Sequence, residues 1–370
     1  MTGDLLPHQV RKQIRIAVVG LEFGAAFAPI YADHPHVEEV VLCDRDQDLA
    51  NRAAARTGPA RTAHDLDQIL ADKSIDAVHL VTGLRDHADH TIRALEAGKH
   101  VACAVPMALS FGEIEAIQEA RRRSGTVYMM METALYTREF RYAQRLMRDG
   151  WFGDISFGRG THFQDMTGWP SYWAGLPPMY YMTHAVAPLL ALLGTTAKSV
   201  RALGAGRYAP DTEEPYGRTF PVECALFDLV DHPAVLDITR SLGLAARPYT
   251  ESFSVYGSRA SFEWPQLEQE AGPLVYEMDP AAQGRGRDVT VRRPRIEDTP
   301  GGLPPSIAGY TEGHGGSHPY LVHEFVSAIT EGRTSAIDQV RAAQFTAPGI
   351  AAHESALRGG VPVDIPSFEE

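Results

Sequence analysis

The sequence predicts an α/β protein with an N-terminal doubly wound parallel sheet, followed by an α+β domain with a large, mostly antiparallel, open sheet. Three observations support this prediction. An apolar run, IRIAVV, stops at Gly20, as expected of a buried parallel strand that feeds a helix. Apolar strands then alternate with helical segments as far as Glu132, which is typical of parallel sheets with right-handed crossovers. From Asp154 onward, longer strand-like stretches dominate.

The first part of the chain predicts its elements in a regular order. After a second strand, EVVLCD, the sequence predicts further strands in DAVHLVT, HVACAVP and TVYMMM. Helices are predicted at residues 46–56, 66–71, 86–97 and 111–123. Ligands collect at the carboxyl ends of parallel strands. We therefore expect one cleft to be lined by the strand ends, which are Gly20, Asp44, Thr82 with Gly83, Ala104 to Pro106, and Glu132.

The second part predicts strands in ISFGRGTHF, SVRALGAG, ECALFDLV, AVLDITRSL and ESFSVYGS. Helices are predicted at residues 184–193, 319–330 and 339–357. One sheet face is expected to be open, and such a face is a plausible oligomer interface. The segment Asp279 to Gly316 is dense in Pro, Gly and Arg and predicts a long loop.

Composition excludes several classes of protein. The 370 residues suggest two domains, and 44% hydrophobic residues can fill both cores. A net charge of -13 disfavours nucleic acid and anionic membranes as partners. No apolar run is long enough for a membrane span, and residues 1–12 lack a signal-peptide core, so we expect a cytoplasmic protein. Cys43, Cys103 and Cys224 are expected to be small core residues, and no metal site is predicted.

The turn at Gly20 predicts a dinucleotide site. Backbone amides at the start of a helix favour the pyrophosphate, and Asp44 stands where a carboxylate would bind the adenosine ribose hydroxyls. This predicts NAD rather than NADP, although Arg45 leaves that preference open. The glycine fingerprint is imperfect, since Glu22 and Ala25 occupy two of its glycine positions. An ordinary strand, turn and helix is the alternative.

The segments AVVGLEFGA, AVHLVT followed by His87, and ALEAGKHVACAVPMA resemble the Gfo/Idh/MocA oxidoreductase family. The resemblance implies an NAD-binding Rossmann domain over residues 1–133 and a substrate-binding and oligomerisation domain over 134–370. The family usually has Glu-Lys-Pro where this chain has Ala104, Val105 and Pro106, and its lysine normally helps move the substrate proton. The four lysines of this chain, Lys12, Lys73, Lys99 and Lys198, are each expected to be solvated.

Further strings, YMTHAVAP, MMMETALYTREF, RPYTESFSVYGS, HGGSHPY and VDIPSF, resemble the NAD-dependent glycosidase branch of that family, including glycoside hydrolase families 109 and 188. The resemblance implies the catalytic residues Tyr136, Tyr181, His184, Tyr249 and His314. It implies NAD contacts at Gly20, Glu22, Phe23, Gly24, Asp44, Arg45, Thr82, Leu84, His87, Ala104 and Val105. A homodimer or homotetramer is also implied.

The candidate residues suit proton chemistry. Tyr181 and His184 are three positions apart at a predicted helix start, so both can face one pocket. A histidine of ordinary pKa can take a hydroxyl proton near neutral pH, and a tyrosine can relay one. The alternative is a core histidine bonded to the backbone. Tyr136 and Tyr249 have the alternative of packed aromatics, whereas His314 stands among glycines, which favours a mobile loop.

Two further pairs are candidates for substrate binding. Trp169 and Trp173 could form a wall against a sugar face, or they could be buried at the domain junction. Arg138 and Arg141 follow Tyr136 and could bind an anionic group such as a sulfonate. Because Arg outnumbers Lys throughout the chain, composition alone could explain that pair.

These expectations lead to three functional hypotheses. The first is a glycosidase that oxidises C3 of a sugar transiently with NAD, eliminates the aglycone through C2, adds water and reduces C3 again. The second is a sugar or inositol dehydrogenase that forms NADH. The third is a silent NAD-binding sensor, which would not explain the retained Tyr and His positions.

Overall fold

The computed structural model describes residues 13–58, 60–208, 216–264, 272–279, 288–296 and 301–369. The chain divides into two compact units, each built from separated segments. The first comprises residues 1–107, 112–131 and 300–342, and the second comprises 108–111, 132–299 and 343–370. Residues 300–342, which the sequence analysis places in the second domain, therefore pack with the first unit. The functional assignment of the two domains stays a prediction.

The first unit contains a six-stranded parallel sheet in the order β3-β2-β1-β4-β5-β6. The strands are β1 (Ile14–Val19), β2 (Val37–Cys43), β3 (Arg61–Ala63), β4 (Ala77–Leu80), β5 (His100–Cys103) and β6 (Tyr128–Met130). All five pairings are parallel. The strand order reverses between β1 and β4, which is the switch point where doubly wound folds bind dinucleotides. The predicted fold class of this part is confirmed.

Helices of the first unit follow the prediction except after Gly20. They are α1 (Leu21–Gly24), α2 (Ala28–Ala32), α3 (Gln47–Thr57), α4 (Leu66–Ala71), α5 (His87–Glu96), α6 (Phe111–Ser124) and α9 (His318–Glu331). The single helix expected after Gly20 is two short helices, and Pro29 stands in the first turn of the second. Proline suits a first helical turn because its missing amide would have no partner there.

The second unit is built on a sheet in the order β14-β13-β12-β11-β7-β10-β9-β8-β15. Its strands are β7 (Ile155–Phe163), β8 (Ala197–Ala205), β9 (Val222–Leu229), β10 (His232–Ser241), β11 (Thr250–Gly257), β12 (Ala260–Glu263), β13 (Leu274–Met278), β14 (Val289–Arg292) and β15 (Val363–Asp364). The pairings are antiparallel except for β7 with β10. The mostly antiparallel sheet is therefore confirmed.

Two predictions in this unit need correction. Strand β14 lies inside the segment 279–316 that was expected to be a loop, while residues 280–287 and 297–300 of that segment lie outside the described residues. Cys224 is exposed on β9, whereas Cys43 and Cys103 are buried as expected. Burial alternates along β9, so Cys224 and Leu226 point to the open face.

Three helices accompany this sheet: α7 (Arg138–Arg148), α8 (Thr183–Leu193) and α10 (Gln339–Leu357), which begins in the first unit. Helix α8 lies close against β7 because two glycines face it. A Cβ on Gly160 would stand 2.2 Å from the carbonyl oxygen of Ala185, and one on Gly158 would approach Leu189 to 3.0 Å. This close packing fixes the first turn of α8, which carries His184. None of the described helices is long and apolar enough to span a membrane.

Candidate active site

The turn after β1 is shaped for close approach of a backbone. Gly20 has φ +88°, and a Cβ at this position would meet the carbonyl oxygen of Val81 at 2.3 Å, so only glycine fits. A Cβ on Gly24 would lie 3.0 Å from a methyl group of Val18. Gly24 thus allows close packing of helix on strand, the task of the third fingerprint glycine. Glu22 is exposed in the same turn.

Asp44 is held beside this turn. Its carboxylate accepts hydrogen bonds from the backbone N–H of Leu21 at 2.7 Å and of Asp46 at 2.9 Å. A carboxylate fixed at the end of β2 can accept further hydrogen bonds from the two ribose hydroxyls of an adenosine. Arg45 is exposed.

His87 connects two of the strand ends that were predicted to line the cleft. Its Nδ1 lies 2.7 Å from the carbonyl oxygen of Pro106, and its Nε2 lies 3.1 Å from that of Thr82. Because carbonyl oxygens only accept, both ring nitrogens must carry hydrogen, and the ring is an imidazolium. Burial alone would lower the pKa of His87, but its interactions with Cys103 and these carbonyls raise it to about 9.

His87 is buried and bridges the loops after β4 and β5, and its predicted contact with the cofactor stays a prediction. Leu84 and Val105 are buried as well, while Thr82 and Ala104 are partly exposed.

The four lysines were all expected to be solvated. Lys12 lies outside the described residues, and for Lys99 the expectation is wrong. Lys99 is buried, and its ammonium donates to the carbonyls of Asp72 and Ile75 at 2.7 and 2.8 Å. Lys99 directly precedes β5 and therefore lies at the amino ends of the parallel strands, opposite the carboxyl ends that were predicted to line the cleft.

His314 lies in the first unit, not in the substrate domain where the sequence analysis placed it. Its ring meets Phe23 edge-on at 5.4 Å between centroids, and its Nδ1 is 3.3 Å from Nε2 of His318. His318 in turn packs on Phe27 at 4.3 Å. Residues 313–316 all have positive φ, and a Cβ on Gly313 would lie 2.6 Å from the His318 ring. The glycines thus let this loop rest against Phe23.

The centre of the second unit is an ion pair between Glu132 and His184. Nδ1 of His184 lies 2.5 Å from Oε1 of Glu132, and the Glu132 side chain is 0% exposed. The same carboxylate oxygen accepts from the N–H of Ala134 at 3.0 Å. Burial alone would lower the pKa of His184, but the charges of Glu132 and Glu251 raise it to about 9. These charges favour a protonated His184 at neutral pH, whereas the sequence analysis expected a histidine of ordinary pKa.

A second carboxylate approaches the same nitrogen. Oε1 of Glu251 is 4.0 Å from Nδ1 of His184, and Oε2 of Glu251 accepts a hydrogen bond from the phenol of Tyr249 at 2.5 Å. Tyr249 as a whole residue is 37% exposed, while its phenol oxygen is bonded to the shielded Glu251 carboxylate. Burial and the Glu251 carboxylate raise the pKa of Tyr249 well above its ordinary value.

Arg240 supplies a second buried positive charge. Its guanidinium donates to the backbone carbonyls of Tyr181, His162 and Ser241 and to the side-chain oxygen of Gln164. It also lies over the Tyr181 ring at 5.4 Å. Burial lowers the pKa of Arg240 to about 10, and it remains charged at neutral pH. Two carboxylates and two cations thus balance inside this cluster, which comprises Glu132, His184, Arg240 and Glu251.

Aromatic rings extend from the cluster toward the surface. The ring of Tyr181 meets His184 at 5.4 Å and Trp173 at 5.0 Å, and Trp173 meets Trp169 at 5.7 Å. Trp169 is 46% exposed. A wall of these rings for an apolar sugar face remains a prediction.

The residues around Tyr136 give weaker support to an anion site. Tyr136 and Arg141 are partly exposed. The guanidinium of Arg138, at the start of α7, pairs with Oε1 of Glu139 at 3.0 Å. Because that pair already neutralises Arg138, a sulfonate would have to compete with Glu139. Among the described residues, no three His, Cys, Asp or Glu side chains are grouped to hold a metal ion.

Comparison with known proteins agrees with this geometry. Residues 14–132 match the model of an oxidoreductase family, the NAD-binding Rossmann fold of GFO_IDH_MocA. This segment belongs to the Gfo/Idh/MocA oxidoreductase family. The glycine-only turn at Gly20 and the fixed Asp44 carboxylate fit the NAD of that family.

Relatives cover nearly the whole chain. A glycosyl hydrolase family 109 protein of Streptomyces niveus is 25% identical, and the match covers 98% of this chain and 79% of that protein. A levoglucosan dehydrogenase in complex with NADH and levoglucosan is 23% identical with a TM-score of 0.77, covering 96% of this chain and all of that one. The myo-inositol 2-dehydrogenase of Lactobacillus plantarum is 19% identical with a TM-score of 0.74, covering 96% and 100% of the two chains. Both structures are less than 25% identical to this chain, and the likeness shows a shared fold.

Sequence reasoning did not find Arg240 or Glu251 as members of the site. One signal was present for Arg240, since it follows Leu236 and Ile238 at alternate positions of β10 and therefore points to the buried face. Glu251 stands beside His162 across the β11 and β7 pairing. That neighbour comes from a distant part of the chain, so the sequence carried no signal for Glu251.

Cofactor preference gives a first prediction. We expect wild-type enzyme to bind NAD more tightly than NADP, because the Asp44 carboxylate repels a 2′-phosphate. Asp44→Ala should weaken NAD binding about 10- to 100-fold, since charged hydrogen bonds contribute roughly 1.5–3 kcal/mol. It should also reduce the difference between the NAD and NADP affinities. Titration by calorimetry measures both constants. The control is Asp46→Ala, which removes the neighbouring carboxylate that caps α3 and should leave the ratio of the NAD and NADP affinities unchanged. Tighter binding of NADP than of NAD by the wild type would contradict the prediction.

Cofactor release gives a second prediction. The contacts of Phe23 with His314 should hold the turn in its binding conformation, so His314→Ala should release NADH faster. An aromatic pair contributes about 0.5–1.5 kcal/mol, which corresponds to roughly a 2- to 10-fold faster rate. Stopped-flow NADH fluorescence measures this rate. His64→Ala alters an exposed histidine of the same unit and should have no effect, whereas equal rates in the two variants would contradict the proposed contact.

Proposed function

We propose that this chain is an NAD-dependent glycosidase that cleaves its substrate by transient oxidation at C3. The observation that carries the proposal is the buried pair Glu132 and His184 with Tyr181 and Tyr249 beside it. The Gfo/Idh/MocA segment has Ala104 and Val105 where the family has Glu and Lys. Relatives from two Streptomyces species are glycosyl hydrolase family 109 proteins by name, which supports a glycosidase.

Bound NAD would accept a hydride from C3 and return it at the end of the turnover, so that redox cancels. In this proposal Tyr181 and His184 bind the C3 oxygen. A ketone at C3 makes the C2 hydrogen acidic, and Tyr136 removes that hydrogen. The aglycone then leaves from C1, water adds to the resulting double bond, and reduction restores the C3 hydroxyl.

The competing function is a sugar or inositol dehydrogenase with net formation of NADH. The fold neighbours named levoglucosan dehydrogenase and myo-inositol 2-dehydrogenase favour it. An anionic substrate such as a sulfoquinovoside is a narrower form of the glycosidase proposal. It depends on Arg138 exchanging its partner Glu139 for the substrate. Equal turnover of neutral and sulfonated glycosides would contradict the proposal of an anionic substrate.

The deciding experiment is a screen of aryl glycosides with and without added NAD. Aglycone release and NADH absorbance are followed together. A glycosidase releases aglycone with only catalytic amounts of NAD and without accumulating NADH. Stoichiometric NADH with no aglycone would contradict the proposal and leave the dehydrogenase.

Isotope exchange tests the elimination directly. In heavy water, deuterium should enter C2 of the released sugar, whereas a substrate deuterated at C3 should keep its label. Tyr136→Phe should slow C2 exchange by about 10²-fold or more, as expected for loss of a general base. Tyr142→Phe removes another phenol of the same segment, one that packs on Phe262, and should exchange normally. Product without deuterium at C2 would exclude elimination.

We further propose that the chain is a homo-oligomer that uses the open face of the large sheet. Leu203, Leu226 and Val235 are exposed on that face, and exposed apolar side chains of neighbouring strands are typical of interfaces. Analytical ultracentrifugation of wild type and of Leu226→Glu tests this; a monomeric wild type would contradict it.

A further inference from the structure

Two carboxylates meet one imidazole in the second unit. Glu132 and Glu251 both face Nδ1 of His184, at 2.5 and 4.0 Å. Their side chains are almost completely shielded from water. Nδ1 is therefore a hydrogen-bond donor, and the shape of the ring directs Nε2 away from both carboxylates.

Charge balance favours a permanently protonated His184. With His184 and Arg240 positive, the two buried carboxylates are compensated. A neutral His184 would leave net negative charge on two carboxylates that are almost completely shielded from water, which is costly. A group held protonated in this way is a good hydrogen-bond donor and a poor proton acceptor near neutral pH.

The phenol of Tyr249 offers the proton acceptor that His184 does not. Its O–H already donates to Glu251 at 2.5 Å, and its 37% exposure leaves the ring accessible. A phenol bonded in this way can receive a proton on its oxygen as its own proton moves to the carboxylate. No oxidant or base other than these residues and the NAD of the proposed function is needed.

We propose that Tyr249, supported by the carboxylate of Glu251, accepts the proton of the hydroxyl that is oxidised, while His184 stays protonated and donates a hydrogen bond to the same oxygen. This inference rests on the proposed function for its hydride acceptor. The substrate O–H bond breaks, a Tyr249 O–H bond forms, and the original phenol proton moves to Glu251. Bound NAD would supply the acceptor for the hydride. On reduction, Glu251 returns its proton to the Tyr249 oxygen, and Tyr249 returns a proton to the substrate oxygen. During elimination, His184 stabilises the negative oxygen at C3.

The pH dependence separates this inference from a histidine base, because the two have opposite signs. A base is active when deprotonated, so hydride transfer would rise with pH up to the His184 pKa of about 9. A protonated donor is lost above that pKa, so hydride transfer should instead fall as pH rises through about 9. The charged or titratable groups that face His184 are Glu132, His162, Tyr181, Arg240 and Glu251, and Tyr249 contacts two of them, His162 and Glu251.

The experiment measures single-turnover hydride transfer, as NADH absorbance, against pH. Tyr249→Phe and Glu251→Gln should each slow the step by about 10²-fold or more. Glu251→Asp, which keeps a carboxylate, should recover part of the rate. Glu132→Gln removes a charge that raises the pKa of His184, so the rate of hydride transfer should begin to fall at a lower pH. Tyr256→Phe removes a similar phenol-to-carboxylate bond, that of Tyr256 with Glu263 at 2.8 Å, and should change the rate less than about 3-fold.

A second measurement does not depend on activity. Nitrogen NMR of histidine-labelled protein, with His184 assigned from its loss in His184→Ala, should show both ring nitrogens protonated at pH 7.5. A neutral ring at that pH, a rate that rises through pH 9, or an unchanged rate in Tyr249→Phe would overturn the inference. If sugars are oxidised but never hydrolysed, the glycosidase proposal fails while this inference is still tested by the same hydride step.

Discussion

His184→Ala is expected to slow hydride transfer about 10²- to 10⁴-fold, the range for loss of a group that acts on a proton or a developing charge in the transition state. The variant removes the imidazolium that is proposed to hold the C3 oxygen. It also leaves the Glu132 carboxylate buried without its partner at 2.5 Å. Single-turnover NADH formation and aglycone release are measured together.

A matched variant separates chemistry from folding. His353 forms a similar buried pair with Glu223 at 2.7 Å, on α10 and β9. His353→Ala should reduce stability by a comparable amount, about 3–5 kcal/mol for a broken buried pair, while the folded fraction keeps its hydride-transfer rate. Equal loss of rate in both variants would mean that His184 acts only through stability. The double variant Glu132→Gln, His184→Ala removes both charges and tests the same point, because paired groups are not additive.

The sequence predicted the first unit well because its signals are local. Apolar runs such as Ile14–Val19 are buried on both faces, and Asp46 and Asp65 cap α3 and α4 with their own side chains. The irregular step after Gly20 was missed because apolar periodicity continues through residues 25–27, while the chain makes turns there.

The second unit was harder to predict because its site depends on distant strands. Tyr181 and His184 could be identified as candidates from the resemblance and because they stand three positions apart at the start of α8. Arg240 on β10 and Glu251 on β11 reach them only through the order of β7, β10 and β11 in the sheet, and Glu132 reaches them from the end of β6, in the other sheet. His184 was expected to be an ordinary base for the same reason, because the carboxylates that raise its pKa come from other elements. His314 was misplaced because residues 300–342 return to the first unit.

Arg240→Met is expected to destabilise the second unit by about 3–5 kcal/mol, the loss typical of a buried charge network that is left incomplete. Arg240 is 0% exposed, and its four acceptors would lose their donor. The carboxylates of Glu132 and Glu251 would then be balanced by one cation, His184, instead of two. Methionine keeps most of the apolar volume, so the effect should come from charge and hydrogen bonding rather than from a cavity.

Fluorescence can follow this loss in one unit, because all four tryptophans, Trp151, Trp169, Trp173 and Trp264, lie between residues 132 and 299. The thermal midpoint should fall by roughly 6–20 °C, given about 2–4 °C per kcal/mol for a unit of this size. Arg201→Met changes an exposed arginine of β8 whose ion pair with Asp228 spans 3.6 Å, and it should cost no more than about 0.5 kcal/mol. Arg240→Lys keeps the charge but not the planar fork of donors. If Arg240→Lys has a thermal midpoint near that of Arg240→Met, the geometry of the hydrogen bonds to Tyr181, His162 and Gln164 matters more than the charge. If neither variant changes the thermal midpoint, a structural role for Arg240 is contradicted.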